Sequence, residues 1–257
     1  MQLDYKELRA LHTAAGRREQ GCFLAEGHHL VGEALKWGKL RLLVVEAGRE
    51  DACREEIAQA EEKGVPVYSV PASRMKGLSQ TATSQGLIAA VEYRHREFDP
   101  KALPESGLLC FLERVQDPGN VGTILRTLDA LGAEGLLLTQ DSADPANDKA
   151  LRASMGAIYR VPVYRIEDRL SALRSLRDAG WEIFCGDLRG EDFFRAKRDF
   201  QKQVFLVGNE GAGVTHEAAS LASQRVRLPM PGQAESLNAA IAASVCLYDM
   251  AREMGRF

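Results

Sequence analysis

The chain has 257 residues, 45% of them hydrophobic and 27% charged, with a formal net charge of -3 and a mean hydropathy of -0.23. This composition describes a soluble globular protein with length for one large or two smaller domains, and it excludes a membrane-spanning chain, which needs roughly 20 consecutive apolar residues per span. A pI near 6.0 also argues against coating nucleic acid through bulk charge, so any RNA contact must be local. The opening MQLDYKELRALHTAAGRREQ mixes acids with bases and has no apolar core, so it reads as neither a signal nor a transit peptide, and a cytoplasmic location is expected. Five cysteines, scattered in apolar runs without a C-x-x-C pair, read as buried thiols.

In chain order, the periodicity predicts a helix over Tyr5 to Ala15, a short strand over Cys22 to Ala25, and an amphipathic helix from Gly27 to Trp37 with Leu30, Val31, Ala34 and Leu35 inward. A strand at Leu40 to Glu46, a charged helix from Asp51 to Lys63 ending at Gly64, and strands at Pro66 to Val70 and Gly86 to Tyr93 complete a first α/β module. His28 and His29 stand side by side, so on a helix they point to different faces; with no third ligand at spacing, no metal is expected. Residues 94 to 106 hold two prolines and dense charge without periodicity, which marks a linker. The expected division is therefore a domain at 1–95, a linker at 96–106 and a second domain at 107–257.

Beyond the linker, strands at Gly107 to Glu113, Gly135 to Thr139, Val161 to Tyr164 and Trp181 to Gly186 alternate with helices at Gly119 to Leu131, Asn147 to Met155 and Asp168 to Ala179. Such alternation predicts an α/β fold with a mostly parallel sheet covered on both faces. From Lys149 to Arg177 seven basic residues stand against two acids. This reads as a solvated helix face, except at Lys149 and Arg152, which are candidate phosphate contacts.

The second domain culminates in three linked pieces. The strand Val204 to Val207 feeds Gly208-Asn209-Glu210-Gly211-Ala212-Gly213, a glycine-rich turn. A second short strand, Arg225 to Leu228, runs into Pro229-Met230-Pro231-Gly232, a rigid loop with two missing backbone donors. Ser236 is the expected cap of a long helix from Leu237 to Met254, with Asn238 in its first turn. No lysine follows the glycines, so this is not a P-loop, and no G-x-G-x-x-G supports a dinucleotide fold. Two loops and a helix start can then converge on one pocket, with Gly208 allowing close backbone approach and Leu228, Met230 and the Leu237 region lining it.

In this order and spacing, and with Asp117-Pro118-Gly119-Asn120-Val121-Gly122-Thr123-Ile124-Leu125-Arg126 upstream, the chain resembles the SpoU (TrmH) class of RNA ribose 2′-O-methyltransferases. The resemblance implies a deep trefoil knot in residues 107–257, an exception to the no-threading rule, and an L30e-like RNA substrate-binding module in residues 1–95. It also implies S-adenosyl-L-methionine as cofactor at Gly208, Leu228, Met230 and Leu237, and structured RNA as substrate, ribosomal rather than transfer RNA. Arg126, Asn120, Glu210 and Asn238 become the expected catalytic set. Without the resemblance, Asn120 reads as a helix cap and Arg126 as half of an ion pair. With it, Arg126 positions an RNA phosphate near the target ribose, since a guanidinium hardly ever gives up its proton. Glu210 either accepts a proton or holds the pocket loops, and Asn238 orients substrate or caps. Arg17 and Arg18, beside the family's strand and turn at Phe23 to Gly27, are candidate RNA contacts with Lys149 and Arg152. Many members carry serine where this chain has Ala240. A homodimer is expected through the last helix, with Arg126 set against the partner's cofactor pocket. The competing reading is a catalytically weak RNA-binding or ribosome-assembly protein on the same fold.

Overall fold

In the computed structural model, which describes residues 4–198 and 200–257, the apolar runs become two separate sheets. Two compact units hold them, residues 1–94 with 144–160 and residues 95–143 with 161–257.

The first unit is built on a four-stranded sheet of order β1-β4-β2-β3, from β1 (Cys22–Glu26), β2 (Leu40–Glu46), β3 (Val67–Val70) and β4 (Leu87–Glu92). β4 pairs antiparallel with both β1 and β2, and β2 pairs parallel with β3. Because successive side chains alternate across a strand, Phe23, Ala25, Leu43 and Val45 join one core while Cys22, Leu24 and Val44 join another on the opposite face. α3 (His28–Trp37) covers the first face; α1 (Tyr5–Ala10) and α5 (Ala72–Leu78) cover the second through Leu8, Met75 and Leu78. The predicted N-terminal helix is two helices, α1 and α2 (Ala14–Gln20), because Thr13 turns outward and caps the second through the N–H of Gly16. α4 (Arg54–Glu62) ends at Lys63, with Gly64 following at φ +67°.

The second unit carries a six-stranded, wholly parallel sheet of order β10-β8-β9-β5-β6-β7. Its strands are β5 (Gly107–Leu112), β6 (Gly135–Thr139), β7 (Val163–Ile166), β8 (Glu182–Asp192), β9 (Lys202–Val207) and β10 (Gln224–Arg227). β5 and β6 are buried along their whole length, as central parallel strands covered on both faces must be. α8 (Arg169–Asp178) and α9 (His216–Ala219) pack on one face. α6 (Pro118–Ala130) and α10 (Ala239–Glu253) pair with one another over β9, β5 and β6. All five cysteines are buried and unpaired, and among the described residues no helix is long and apolar enough to cross a membrane.

The units differ from the sequence boundaries in two places. Residues 94 to 106 are no free linker: Arg96 bridges to Tyr164, and Phe98 and Leu103 pack on the core of the second unit. Residues 144–160, expected within the second domain, complete the first unit instead. α7 (Asp148–Ser154) and the turn after it place Ala146, Leu151 and Ile158 in the core beneath α3. Both ends of this segment are tied by ion pairs, Arg17 with Asp144 and Arg160 with Glu33.

Candidate active site

The loop after β9 is a closed structure built by its own side chains. Asn209 exchanges backbone hydrogen bonds with Gly213 at 3.1 and 2.8 Å. Its Oδ1 accepts from the N–H groups of Gly211 and Ala212, and its Nδ2 donates to the carbonyl of Arg114. A Cβ on Gly208 would lie 2.1 Å from the carbonyl carbon of Gly213 and 2.2 Å from the nitrogen of Val214. The glycine is thus required by the loop's own backbone, whatever approach it also allows a ligand. Gly213 itself sits at φ +69°. Behind the loop, the fully buried Glu113 accepts from both the N–H and the hydroxyl of Thr215, at 2.8 and 2.6 Å. The Nε of Arg169 lies 2.8 Å from the same carboxylate, close enough for an ion pair though not aligned for a hydrogen bond.

Asn120, Glu210 and Asn238, separated by up to 118 residues, form one chain of contacts. Glu210 accepts from the backbone N–H groups of Gln116 and Asp117, both at 3.1 Å, and from Asn120 Nδ2 at 2.9 Å. A carboxylate only accepts, so the amide of Asn120 must turn its nitrogen toward Glu210 and its oxygen toward Asn238, which donates to it at 2.9 Å. Asn238 Oδ1 is left to accept from the N–H groups of Ala240 and Ile241. Asn238 is therefore the N-cap of α10, in place of Ser236, and the helix begins at Ala239. Asp117 caps α6, so Asn120 does not. Burial pushes the Glu210 carboxyl upward, but the three donated hydrogen bonds outweigh it and hold the group below the usual carboxylate range.

A cavity of about 740 Å³ opens between this loop, the loop after β10 and the start of α10. Gly208, Leu228, Met230 and Leu237 line it, together with Glu210 and Asn238. The volume suits a nucleoside-sized ligand, and a wall of Leu228, Met230, Ala242 and Ala243 suits the flat ring of the expected S-adenosylmethionine. Asp187, Arg189, Arg227 and Glu235 add charge to the lining; nothing in the local sequence sets them apart from other surface charges. Sequence reasoning missed Glu113 and Asn209 as well, and the signal for Glu113 was a single charge closing an otherwise apolar strand.

Arg126 is not in this lining. It projects from the exposed side of α6, and among the described residues it has no hydrogen-bond or ion-pair partner, so it is not half of an ion pair. Its neighbour Thr127 is bonded to Ser244 of α10 at 2.7 Å. On α10 the inward residues are Ala240, Ala243, Cys246, Leu247 and Met250. Leu237, Ile241 (53% exposed), Val245 and Tyr248 (55%) form an open apolar stripe.

Of the candidate RNA contacts, Arg17 is corrected. It is 7% exposed, and its guanidinium bonds Asp144 Oδ2 at 2.7 and 2.9 Å and the carbonyls of Leu11 and His12. A guanidinium held on four bonds inside the first unit is closed to a phosphate. Arg18 is exposed and has no partner among the described residues. Lys149 is exposed, and Arg152 is exposed beside its ion-pair partner Asp148. His28 pairs with Glu56 at 2.8 Å and His29 faces the carbonyl of Met155 at 3.4 Å.

Residues 107–248 match the SpoU rRNA Methylase family, and residues 4–89 match the MRM3-like substrate binding domain. The chain is 33% identical over 246 residues to the 23S rRNA (guanosine(2553)-2'-O)-methyltransferase RlmP of Bacillus subtilis, covering 95% of this chain and 94% of that one. The solved AdoMet-bound rRNA methyltransferase of Sinorhizobium meliloti superposes with a TM-score of 0.85 at 31% identity, over 96% of this chain and 94% of that one. The SpoU methyltransferase AviRb of Streptomyces viridochromogenes, solved with AdoMet, gives 0.84 at 28% identity over 98% of each chain.

Proposed function

Because the chain belongs to the SpoU rRNA methylase family, we propose that it transfers a methyl group from S-adenosyl-L-methionine to a ribose 2′-hydroxyl of ribosomal RNA, as a cytoplasmic homodimer. The observation that carries this reading is the Glu210–Asn120–Asn238 chain, which ties all three sequence motifs together at the wall of the cavity. A chain that only bound RNA would have no use for that closure beside a nucleoside-sized cavity. The cofactor, bound there, supplies a sulfonium-activated methyl group. Leu228, Met230 and Leu237 would enclose its adenine, and the Gly208 to Gly213 loop would offer backbone groups to its edge.

In this reading Glu210, an acceptor already occupied by three donors, holds the α6 entry against the cavity loop rather than taking up the substrate's proton. Arg126 supplies a planar, two-pronged contact to an RNA phosphate. Its absence from the cavity of its own chain supports a composite site in which it reaches the partner's cavity across the apolar stripe of α10. The return of α10 to β9, β5 and α6 after β10 has formed the sheet edge supports the threading that a trefoil knot requires. The first unit, L30e-like in this reading, takes the RNA, with Arg18, Lys149 and Arg152 as phosphate contacts.

Incubating the purified chain with labelled S-adenosylmethionine and extracted ribosomal RNA tests the reaction. Label should appear as ribose methylation at a defined nucleotide that is unmethylated in a strain lacking the gene; label on a base, or RNA binding without transfer, overturns the assignment.

A further inference from the structure

Among the described residues of the first unit, only Trp37 and Met155 are large apolar side chains left exposed, and they lie on one ridge. His29, Glu33 and Trp37 follow one another at four-residue spacing on α3, so they share a face about 12 Å long. The turn after α7 lies against that face. His29 Nε2 is 3.4 Å from the carbonyl of Met155, and a Cβ on Gly156 would come within 2.9 Å of the Glu33 side chain, so the glycine lets the turn lie flush. Met155 holds the left-handed conformation at φ 50°, unusual without a glycine, and its side chain is still presented to solvent.

The charges around the ridge are arranged rather than scattered. Glu33 bonds both Arg160 and Lys36, which fixes the Arg160 guanidinium 5.9 Å from the centroid of the Trp37 ring. That contact takes up one face of the indole, yet Trp37 stays 60% exposed, so the other face is open to water. Arg160 and Lys36 are thus both held on the Glu33 carboxylate at the edge of a flat aromatic surface whose outer face is open. An open ring face with cations at its edge suits a nucleobase on its phosphate backbone better than it suits an apolar protein surface, which would leave those cations desolvated.

We propose that Trp37, backed by Arg160 and flanked by Met155, is a stacking platform for an unpaired RNA base, so that the first unit selects single-stranded or looped segments of its substrate. This rests on the reading that the first unit takes RNA, and it adds what kind of RNA and by which residue. Duplex bases are already stacked and offer no free face to the ring. Arg160 and Glu33 are positioning residues in this arrangement, since they act through the indole.

The protein reports on the contact itself. It has two tryptophans, and Trp181 is 2% exposed, so emission quenched by a solute or a stacked base comes from Trp37. The full-length protein is titrated with fluorescein-labelled oligoadenylate and with the same strand annealed to oligouridylate, following anisotropy and tryptophan emission together. The single strand should bind and quench emission, whereas the duplex should quench little. Trp37→Ala and Trp37→Leu should each weaken single-strand binding by about fivefold or more, with cofactor affinity and thermal unfolding unchanged. Trp37→Phe, which keeps a ring face, should recover most of the affinity; a merely structural role would be served as well by leucine. Oligoadenylate that binds equally to wild type and Trp37→Ala, without a change in emission, overturns the platform and leaves the methyltransferase reading standing. Failure of any RNA to bind overturns both. A Trp37→Ala chain with unaltered RNA affinity and a smaller sedimentation mass assigns the ridge to a protein contact instead.

Discussion

Around the cavity the polar side chains answer one another: Glu210, Asn120 and Asn238 in one chain, Asn209 within its own loop, Glu113 behind Thr215. On the outer side of α6 and α10, in the same unit, Arg126 has no partner among the described residues, and Ile241, Val245 and Tyr248 lie open. The two regions differ in what holds them in place. The loop after β9 is held because its donors find acceptors inside the chain, so it is ready for a ligand before it arrives. The outer side of α6 and α10 has no such closure among the described residues of the chain, and the proposed dimer would cover its apolar stripe.

Substitutions should therefore separate the regions by what they leave intact. On the outer side of α6, Arg126→Ala should slow methyl transfer at least about a hundredfold, the scale of removing a preorganised charge from a transition state, while calorimetry finds cofactor affinity and unfolding unchanged. Parallel losses of affinity and turnover would place Arg126 in the cavity instead. Chains carrying Arg126→Ala, mixed with chains carrying Leu228→Arg, should regain roughly a quarter of wild-type activity. Half the dimers would be mixed, and one of the two sites in each would be whole. A Gly208 variant serves less well as the second chain, because a side chain there breaks the loop against Gly213. Ile241→Glu should shift the sedimentation mass toward a monomer and lower activity with it, with little change in the stability of the chain. A mass already monomeric in the wild type would overturn both the dimer and the mixed-chain result.

In the loops the effects should run together. Asn120→Ala strands the Nδ2 of Asn238 and removes one donor from Glu210. Removing one partner of a part-buried pair costs about 1 to 3 kcal/mol, so stability and cofactor affinity should fall together. A loss of turnover alone would mean that Asn120 touches the substrate rather than the loop.

The sequence carried the sheet of the second unit well, because strands buried on both faces must be continuous apolar runs, as β5, β6 and the Val204 to Val207 part of β9 are. It carried less of β8, predicted to end at Gly186. The rest of that strand, Asp187 to Asp192, is mostly polar, and of it only Glu191 and Asp192 pair, with β10, beyond a register shift. α5, whose sequence ASRMKGL is too short to show a period, was passed over. At the site, the residues of the three motifs were legible, but their contacts were not. Ser236 and Asn238 are both good caps two residues apart, and only the bond that Asn238 donates to Asn120 decides between them. Arg17 shows the limit most plainly: its partner Asp144 stands 127 residues away, and nothing local distinguishes a buried arginine from one that waits for phosphate. The same distance explains the misplacement of residues 144–160, whose apolar residues fit a core in either unit.

Acid offers the finest test of the loop. The Glu210 carboxyl is held below its usual range in the folded loop, burial working against three hydrogen bonds that prevail. A group whose folded value is depressed contributes fully above the unfolded value, about 4.3 for glutamate, and its contribution is lost as pH falls through the folded one. Cofactor affinity should therefore stay level from mild base down to about pH 5 and weaken only below the ordinary carboxylate range. Glu210→Gln should lower affinity severalfold at neutral pH, because an amide nitrogen replaces one acceptor and faces the N–H of Gln116. Its profile should then be flatter in acid. If the variant kept the same acid limb, Glu210 would not be the group that titrates. A limb in turnover near neutrality, abolished by Glu210→Gln while cofactor affinity is kept, would instead make Glu210 the acceptor of the ribose proton, which its three donated hydrogen bonds argue against.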